Sequence, residues 1–194
     1  MHILLIFSAI ISIINFFPIY GLSDQTSINA SHIYENEKLG LTLNYPNNWQ
    51  ITEETNNITI LSIPNQEHTF FSDAKINITL EEIDDNITIN NYSEEKIKDI
   101  KTKFQEIKLN QDPDFIFNII ASNYSNSYSN QSAYQTTYEH QITPFLPKYG
   151  INKELTTLIL KNNTGYTITY SSEKENFDKY LDDVENILSS LKIR

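Results

Sequence analysis

Acidic side chains at and just beyond the end of the predicted strand over residues 75–83 are the clearest candidates for metal chemistry. This acidic cluster consists of Glu81, Glu82, Asp84 and Asp85. Carboxylate oxygens are the ligands that calcium and manganese prefer. The cluster lacks the Asp-x-Asp-x-Asp-Gly spacing and the closing bidentate glutamate of an EF-hand loop. The sequence therefore predicts either a solvated acidic turn or a weak site for calcium or manganese, and it requires no cofactor.

Histidines are the second kind of candidate ligand. Beyond the N-terminal segment the chain has His32, His68 and His140, and no two of them are spaced as His-x-x-x-His. A transition-metal site would therefore have to be assembled by the fold from distant residues. We expect His140, which follows Glu139, either to act as a ligand of such a site or to lie on a sheet face without a ligand role.

Residue types also exclude several kinds of catalysis. The chain of 194 residues has no cysteine, which excludes thiol nucleophiles, thiolate metal sites and disulfides. Its four glycines are too dispersed for a phosphate-binding loop, and no Gly-x-Ser-x-Gly elbow is present. The formal net charge of −11 argues against a nucleic-acid partner, because such a partner requires a basic surface. We expect a protein that is not an enzyme.

A segment rich in Tyr, Ser and Asn is the candidate binding surface. Tyrosine next to serine and asparagine makes an adaptable recognition surface of the kind that antibody loops use. The alternative is an ordinary hairpin whose tyrosines belong to the core. The residues assigned to this surface are Tyr124, Tyr128, Tyr134, Tyr138 and His140. As partner we expect a protein or a glycan of the cell envelope.

The N-terminus has the pattern of an export signal. An apolar run over residues 3–17 is followed by Pro18, Gly21 and Ser23. This run is shorter than a comfortable membrane span and has the length of a signal-peptide core, although no Lys or Arg precedes it. We expect a signal peptide over residues 1–23, or an uncleaved membrane anchor, then a linker over residues 24–33. Both alternatives predict a secreted or cell-surface protein that contacts a membrane only through this segment.

Asparagines followed by x-Ser or x-Thr are candidate glycosylation sites, provided that the chain is exported. The sequence has eight of these sequons, at Asn29, Asn57, Asn77, Asn86, Asn91, Asn123, Asn130 and Asn162.

Hydrophobic periodicity predicts the elements that must position these groups. Residues 41–45, 49–51, 58–62 and 75–83 alternate as strands do, and residues 65–74 have the character of a loop. A helix is expected from Ser93, as N-cap, to Lys108, with five lysines on its surface. These lysines form either a solvated helix face or a docking face for an acidic partner.

The second half of the chain returns to strands. Residues 115–120 are apolar on both faces, which predicts a central strand, and residues 122–132 have the composition of a turn-rich segment. A strand over 133–142 and a hairpin over 154–170 follow, with Gly165 expected at positive φ. Ser172 and Glu175 have the spacing of a capping box for a last helix. This order predicts an α+β domain on a mainly antiparallel sheet.

Two stretches carry a family resemblance. Tyr34 opens a segment that ends in Tyr-Pro-Asn-Asn-Trp49, and Gly165 opens Gly-Tyr-Thr-Ile-Thr-Tyr-Ser-Ser before the last helix. Together they resemble the first and last elements of PsbP-like domains, the family of the extrinsic photosystem II subunit P. The resemblance covers residues 34–194 as a single domain, and the composition is similar to that of secreted archaeal members.

The resemblance implies an α/β/α sandwich with a central antiparallel sheet and a C-terminal helix packed on it. It also implies binding and not catalysis. We therefore expect an exported, non-catalytic accessory domain that docks on an envelope or membrane protein complex. The alternative is an extracytoplasmic metal-binding protein or metal-dependent hydrolase on the same scaffold.

Overall fold

The protein is described by a computed structural model, which covers residues 31–54, 58–62, 74–144 and 150–194. The predicted signal segment, most of the linker, the loop over residues 65–73, His68 and the sequons Asn29 and Asn57 lie outside the described residues. Within the part described, no helix is long and apolar enough to span a membrane.

Seven antiparallel strands form the main sheet, in the order β3-β4-β5-β9-β8-β7-β6. Their bounds are β3 Gln50–Glu54, β4 Ile58–Ser62, β5 Lys75–Glu82, β6 Phe117–Tyr128, β7 Gln131–Gln141, β8 Ile151–Lys161 and β9 Thr164–Glu173. A second antiparallel sheet has the order β1-β2-β10, with β1 Ser31–Asn36, β2 Leu41–Pro46 and β10 Lys192–Ile193. Strand β1 begins inside the predicted linker, and neither β1 nor β10 was expected.

One helix packs on each face of the main sheet, which confirms the predicted α+β fold. Helix α1, Ile89–Asn110, lies over β7 and β8. Helix α2, Leu181–Ser190, lies on the opposite face between the main sheet and β2. Strand β7, for example, therefore places Tyr138 on the α1 side and Ala133 on the α2 side.

The larger core lies on the α2 side of the main sheet. It combines Ile76 and Ile78 of β5 with alternate residues of β8 and β9, and with Leu41 and Leu43 of β2. Helix α2 contributes residues at helical spacing, Val184, Ile187 and Leu188. The single tryptophan, Trp49, is buried here and donates its indole N–H to Asp183 Oδ2 at 3.3 Å. The alternating apolar residues of β2, β5 and β9 therefore form the core between the main sheet and α2.

A smaller aromatic cluster lies on the α1 side. Phe104 of α1 stacks on Phe117 with ring centroids 4.5 Å apart and on Phe115 at 5.9 Å. Tyr138 of β7 completes the buried part of this cluster. The cluster fixes the second half of α1 on the sheet.

The prediction that residues 115–120 form a central strand was wrong. Strand β6 is the edge of the main sheet, and Ile116 and Ile120 are exposed. A register shift at Ile120 marks a β-bulge, which changes the side that the following residues face. The run is apolar because Phe117 and Ile119 pack under α1, not because both faces are buried. The predicted turn-rich segment after it continues β6 as far as Tyr128.

Both predicted helix starts also differ from the structure. Helix α1 begins after Thr88, whose Oγ1 accepts a hydrogen bond from the Asn91 backbone N–H, so Ser93 is not the N-cap. Ser93 is buried one turn into the helix. Ser172 does not cap the last helix, because it belongs to β9, and a 3-10 turn at Lys174–Asn176 separates β9 from α2.

Gly165 does not adopt the positive φ that was expected. The β8–β9 turn instead places Asn162 and Asn163 in the left-handed region, with φ of 49° and 61°. Two successive residues of this kind are typical of a type I′ hairpin turn. Gly165 is needed for another reason: an added Cβ would lie 2.6 Å from the Tyr92 ring and hydroxyl.

Candidate functional site

A buried polar network on the α1 side is the main assembly of titratable groups in the described chain. Strands β7 and β8 pair so that Tyr138 lies opposite Glu154 and His140 lies opposite Asn152. Glu154 accepts hydrogen bonds from the Tyr138 hydroxyl at 2.5 Å and from Asn152 Nδ2 at 3.2 Å. His140 Nε2 lies 3.0 Å from the same carboxylate. We call these four side chains the His140 network.

The geometry of His140 indicates which protonation states fit this network. Its Nδ1 lies 2.8 Å from the Gln141 carbonyl oxygen, and its Nε2 faces the Glu154 carboxylate. An imidazolium donates from both nitrogens and satisfies both acceptors, whereas a neutral ring donates from only one. Burial by itself raises the pKa of Glu154, but the contacts with His140 and Tyr138 outweigh it and lower that pKa below its ordinary value.

The His140 network is closed by its surroundings. The Phe104 ring covers His140 with centroids 4.7 Å apart, and Asn152 Nδ2 also bonds to Ser171 Oγ at 2.7 Å. Burial, followed by the interaction with Glu154, raises the pKa of Tyr138 far above its ordinary value. Since these groups bond to one another inside the fold, the arrangement can fix strand register and hold a charge pair more readily than it can reach a substrate.

Sequence proximity pointed to the wrong carboxylate for His140. Glu139 lies on the opposite face of β7 and accepts a hydrogen bond from Lys174 Nζ at 2.9 Å. Adjacent strand residues face opposite sides, so the neighbour in sequence could not be the partner. Glu154 carried no local signal, because its approach to His140 depends on the pairing of β7 with β8.

The four carboxylates of the acidic cluster point to different partners. Glu81 accepts from the Tyr92 hydroxyl at 2.7 Å and pairs with Lys96 Nζ at 2.6 Å. Asp85 accepts a hydrogen bond from Asn163 of the β8–β9 turn. Glu82 and Asp84 are exposed along an open cleft of about 770 Å³. Over the residues that the structure describes, no three His, Asp or Glu side chains are grouped as metal ligands would be.

The five residues of the predicted binding surface are divided between two faces. Tyr124 and Tyr134 meet edge to face, with centroids 5.2 Å apart, on the α1 side. Tyr138 and His140 lie on that side too, within the His140 network. Tyr128 is buried on the α2 side, where its hydroxyl donates to Glu185 Oε2 at 3.1 Å. Only Tyr124 among them is largely exposed, so they do not form one continuous tyrosine surface.

A groove open to solvent lies between α1 and the β6 edge, and we call it the α1–β6 groove. Its cavity of about 540 Å³ has Ile97, Ile119 and Tyr134 as its apolar lining. Lys98 and Lys101 of α1 stand at its rim together with Glu94, and Ser122 closes the other side. The sequence predicts a lysine-rich helix face and a tyrosine-containing strand separately, but nothing in it pairs the two.

A second cleft under α1 has hydroxyl side chains at half of its lining residues. It measures about 370 Å³ and includes four threonines, Thr79, Thr156, Thr167 and Thr169. Thr156 and Thr169 bond to each other at 3.1 Å, and Thr167 bonds to the Tyr92 hydroxyl at 3.1 Å. These hydroxyls satisfy one another, which explains how a polar sheet face can lie beneath a helix.

The six described sequons differ in exposure. Asn77 is half-buried on an inner strand, whereas the other five asparagines are exposed: Asn86, Asn91, Asn123, Asn130 and Asn162.

Comparisons with known proteins agree with this geometry. The structure is similar to cyanobacterial PsbP (CyanoP) from Synechocystis sp. PCC 6803, with a TM-score of 0.62 at 14% identity over 90% of this chain and 99% of that one. It is also similar to the Ran-binding protein Mog1p of Saccharomyces cerevisiae, with a TM-score of 0.55 at 10% identity over 84% and 95%. LpqN of Mycobacterium tuberculosis, described as involved in cell envelope biogenesis, matches with a TM-score of 0.55 at 12% identity over 91% and 99%.

These likenesses show a shared fold. No curated protein sequence matches the chain. The family model described as PsbP matches residues 30–193, which is most of the chain and begins one residue before β1. The chain therefore belongs to the PsbP family.

Proposed function

We propose that this protein is an exported, non-catalytic accessory domain that docks on a protein of the cell envelope through the α1–β6 groove. The observation that carries the proposal is the combination of an apolar lining with two lysines at the rim of an accessible groove. Export is supported by the apolar run over residues 3–17. The non-catalytic role is supported by the internal satisfaction of the His140 network.

Charge complementarity defines the partner. The whole chain carries a net charge of −11, yet helix α1 has five lysines against four acidic residues. Among the described residues, neither Lys98 nor Lys101 has a carboxylate within ion-pair distance. An acidic segment of the partner would therefore be attracted here and repelled by most of the remaining surface.

The apolar lining defines the anchor of that segment. Tyr134 and Ile119 lie beside the exposed edge of β6, where Ile120 and Tyr124 are each 55% exposed. A segment that carries one aliphatic or aromatic side chain between acidic residues would bury that side chain in the groove and place its carboxylates near Lys98 and Lys101. Aromatic side chains at such positions are common centres of binding energy.

Photo-crosslinking in native cells tests the proposal. A photoreactive residue at Ser122, which is exposed and lines the groove, should join the full-length protein to one discrete envelope protein. The same residue at Ile33, which is 72% exposed on β1, is the control and should not give that product. Equal yields at both positions would contradict docking through this groove.

Charge reversal supplies the second arm of the test. The double change Lys98→Glu and Lys101→Glu should lower the yield of the Ser122 crosslink at least tenfold. Lys108→Glu is the matched control, because Lys108 is exposed in the last turn of the same helix but does not line the groove. Cell fractionation of the same strains tests export separately, and a protein found only in the cytoplasm would contradict that part.

A further inference from the structure

We infer that N-linked glycans occupy three turn asparagines, Asn86, Asn130 and Asn162, and so cover one end of the sheet. This inference rests on the export step of the proposed function, because N-glycosylation takes place on exported chains. It does not depend on the partner or on the α1–β6 groove.

Strand register brings the three sites to one end of the main sheet. Ala133 pairs with Ile159, so the β6–β7 turn and the β8–β9 turn lie at the same end. Glu82 pairs with Thr164, which places the loop between β5 and α1 at that end as well. We call this end, with its two turns and its loop, the hairpin pole. Asn130 belongs to the first turn, Asn162 to the second and Asn86 to the loop.

Local conformation makes these three asparagines accessible acceptors. All three side chains are exposed, and Asn130 and Asn162 have positive φ, of 60° and 49°, at the tips of their turns. An attached glycan is bulky and hydrophilic, and a turn tip lets it project into solvent without displacing a packed group.

The other described sequons are held in regular elements. Asn77 is half-buried between β4 and β9. Asn91 lies in the first turn of α1, where its Oδ1 accepts from the Thr88 hydroxyl at 3.2 Å. Asn123 Nδ2 donates to the Tyr124 carbonyl at 3.1 Å. This nitrogen is the atom to which an N-linked glycan is attached. Because Asn77 is half-buried on an inner strand, a glycan there would displace the part of the protein that packs against it.

The first described residue, Ser31, lies far from the hairpin pole. Ile193 of β10 reaches that pole, since its N–H donates to Ser129 Oγ at 2.7 Å. Ile193 pairs with Leu41, which also pairs with Asn36, so the Asn36 end of β1 lies toward the pole. Ser31, at the other end of β1, pairs with Pro46 and lies away from it. Ser31 thus lies at the opposite end of the domain from the three turn asparagines. Glycans at those asparagines would shield the hairpin pole.

Intact-mass analysis of the full-length protein purified from its native cells tests the inference. Among the six described sequons, glycopeptide mapping should place glycans at the three turn asparagines and at none of the other three. Removing each sequon should remove one glycan from the mass. Asn86→Gln removes the first, whereas Ser132→Ala and Thr164→Ala remove the other two and leave the left-handed asparagines of the turns in place.

Asn77→Gln is the matched control and should leave the glycan mass unchanged. A protein that is exported but bare at the three turns would overturn this inference and leave the proposed docking function standing. Occupancy of Asn77 would overturn it as well. A bare protein found only in the cytoplasm would instead overturn export, and with it this inference, while the groove crosslink would still report on binding.

Discussion

His140 reaches diagonally across two paired strands to Glu154, with 3.0 Å between Nε2 and Oε1, and both side chains are mostly buried. The residue directly opposite His140 is Asn152, which bonds to the same carboxylate. The shared carboxylate of Glu154 therefore ties the register of β7 and β8 to one arrangement of side chains.

Glu154→Gln should destabilise the protein by about 3 kcal/mol, because it removes a buried carboxylate that contacts Tyr138, His140 and Asn152. The change in free energy of unfolding can be measured with urea, followed by the fluorescence of the single Trp49 and by circular dichroism. Glu35→Gln is the control, since it breaks the exposed pair with Arg194 and should cost at most about 1 kcal/mol. Equal losses of unfolding free energy in the two variants would show that the buried Glu154 contacts contribute no more stability than the exposed pair.

Acid should weaken the folded state through the same carboxylate. Because the folded pKa of Glu154 is lowered, its stabilisation is present above the unfolded pKa of about 4.3 and is lost as pH falls through the folded pKa. The unfolding free energy measured from pH 7 down to pH 3 should therefore fall less steeply in Glu154→Gln than in the parent protein. Parallel curves would contradict this role of Glu154.

Alkali should weaken the folded state through buried tyrosines. Burial raises the pKa of Tyr170 to about 12, and its hydroxyl donates to the Phe177 carbonyl at 2.9 Å. A raised pKa leaves stability intact below the unfolded pKa of about 10, and stability is lost as pH rises toward the folded value. Tyr170→Phe should cost about 1 kcal/mol at neutral pH and flatten the loss between pH 10 and 12.

Tyr124→Phe is the control for this experiment, because the Tyr124 side chain is largely exposed. This substitution should leave the loss of unfolding free energy at alkaline pH as it is in the parent protein. Denaturant titrations at each pH give both slopes. If Tyr124→Phe flattens the alkaline loss as much as Tyr170→Phe, burial of Tyr170 is not its cause.

Gly165→Ala should destabilise the protein by roughly 1–3 kcal/mol through overpacking. The new Cβ would lie 2.6 Å from the Tyr92 ring, which is buried and held by Glu81 and Thr167. A double-mutant cycle with Tyr92→Ala gives the test by urea unfolding. Gly165→Ala should cost little in the Tyr92→Ala background, and a loss of the same size in both backgrounds would rule out the steric contact as the cause.

Local patterns were sufficient for most elements, because burial of one face imposes a period of two on a strand and 3.6 on a helix. They predicted β2, β5, β7 and the β8–β9 hairpin within a few residues. They failed where the position of a strand in the sheet, or the choice between two possible helix caps, depended on tertiary contacts. The apolar run over residues 115–120 predicts a central strand, yet β6 is an edge strand that α1 covers on one face. Thr88, and not Ser93, caps α1, although both residue types are suitable caps.

The sequence by itself determined the α+β fold, the family, the absence of cysteine chemistry and the concentration of lysines on one helix. These follow from composition, periodicity and short motifs, each of which is written along the chain. Tertiary structure decided that His140 meets Glu154 and not Glu139, that the tyrosines divide between two faces, and that three sequons share one pole. Each of these depends on strand register, since shifting a strand by one residue would exchange its two faces and move every such contact.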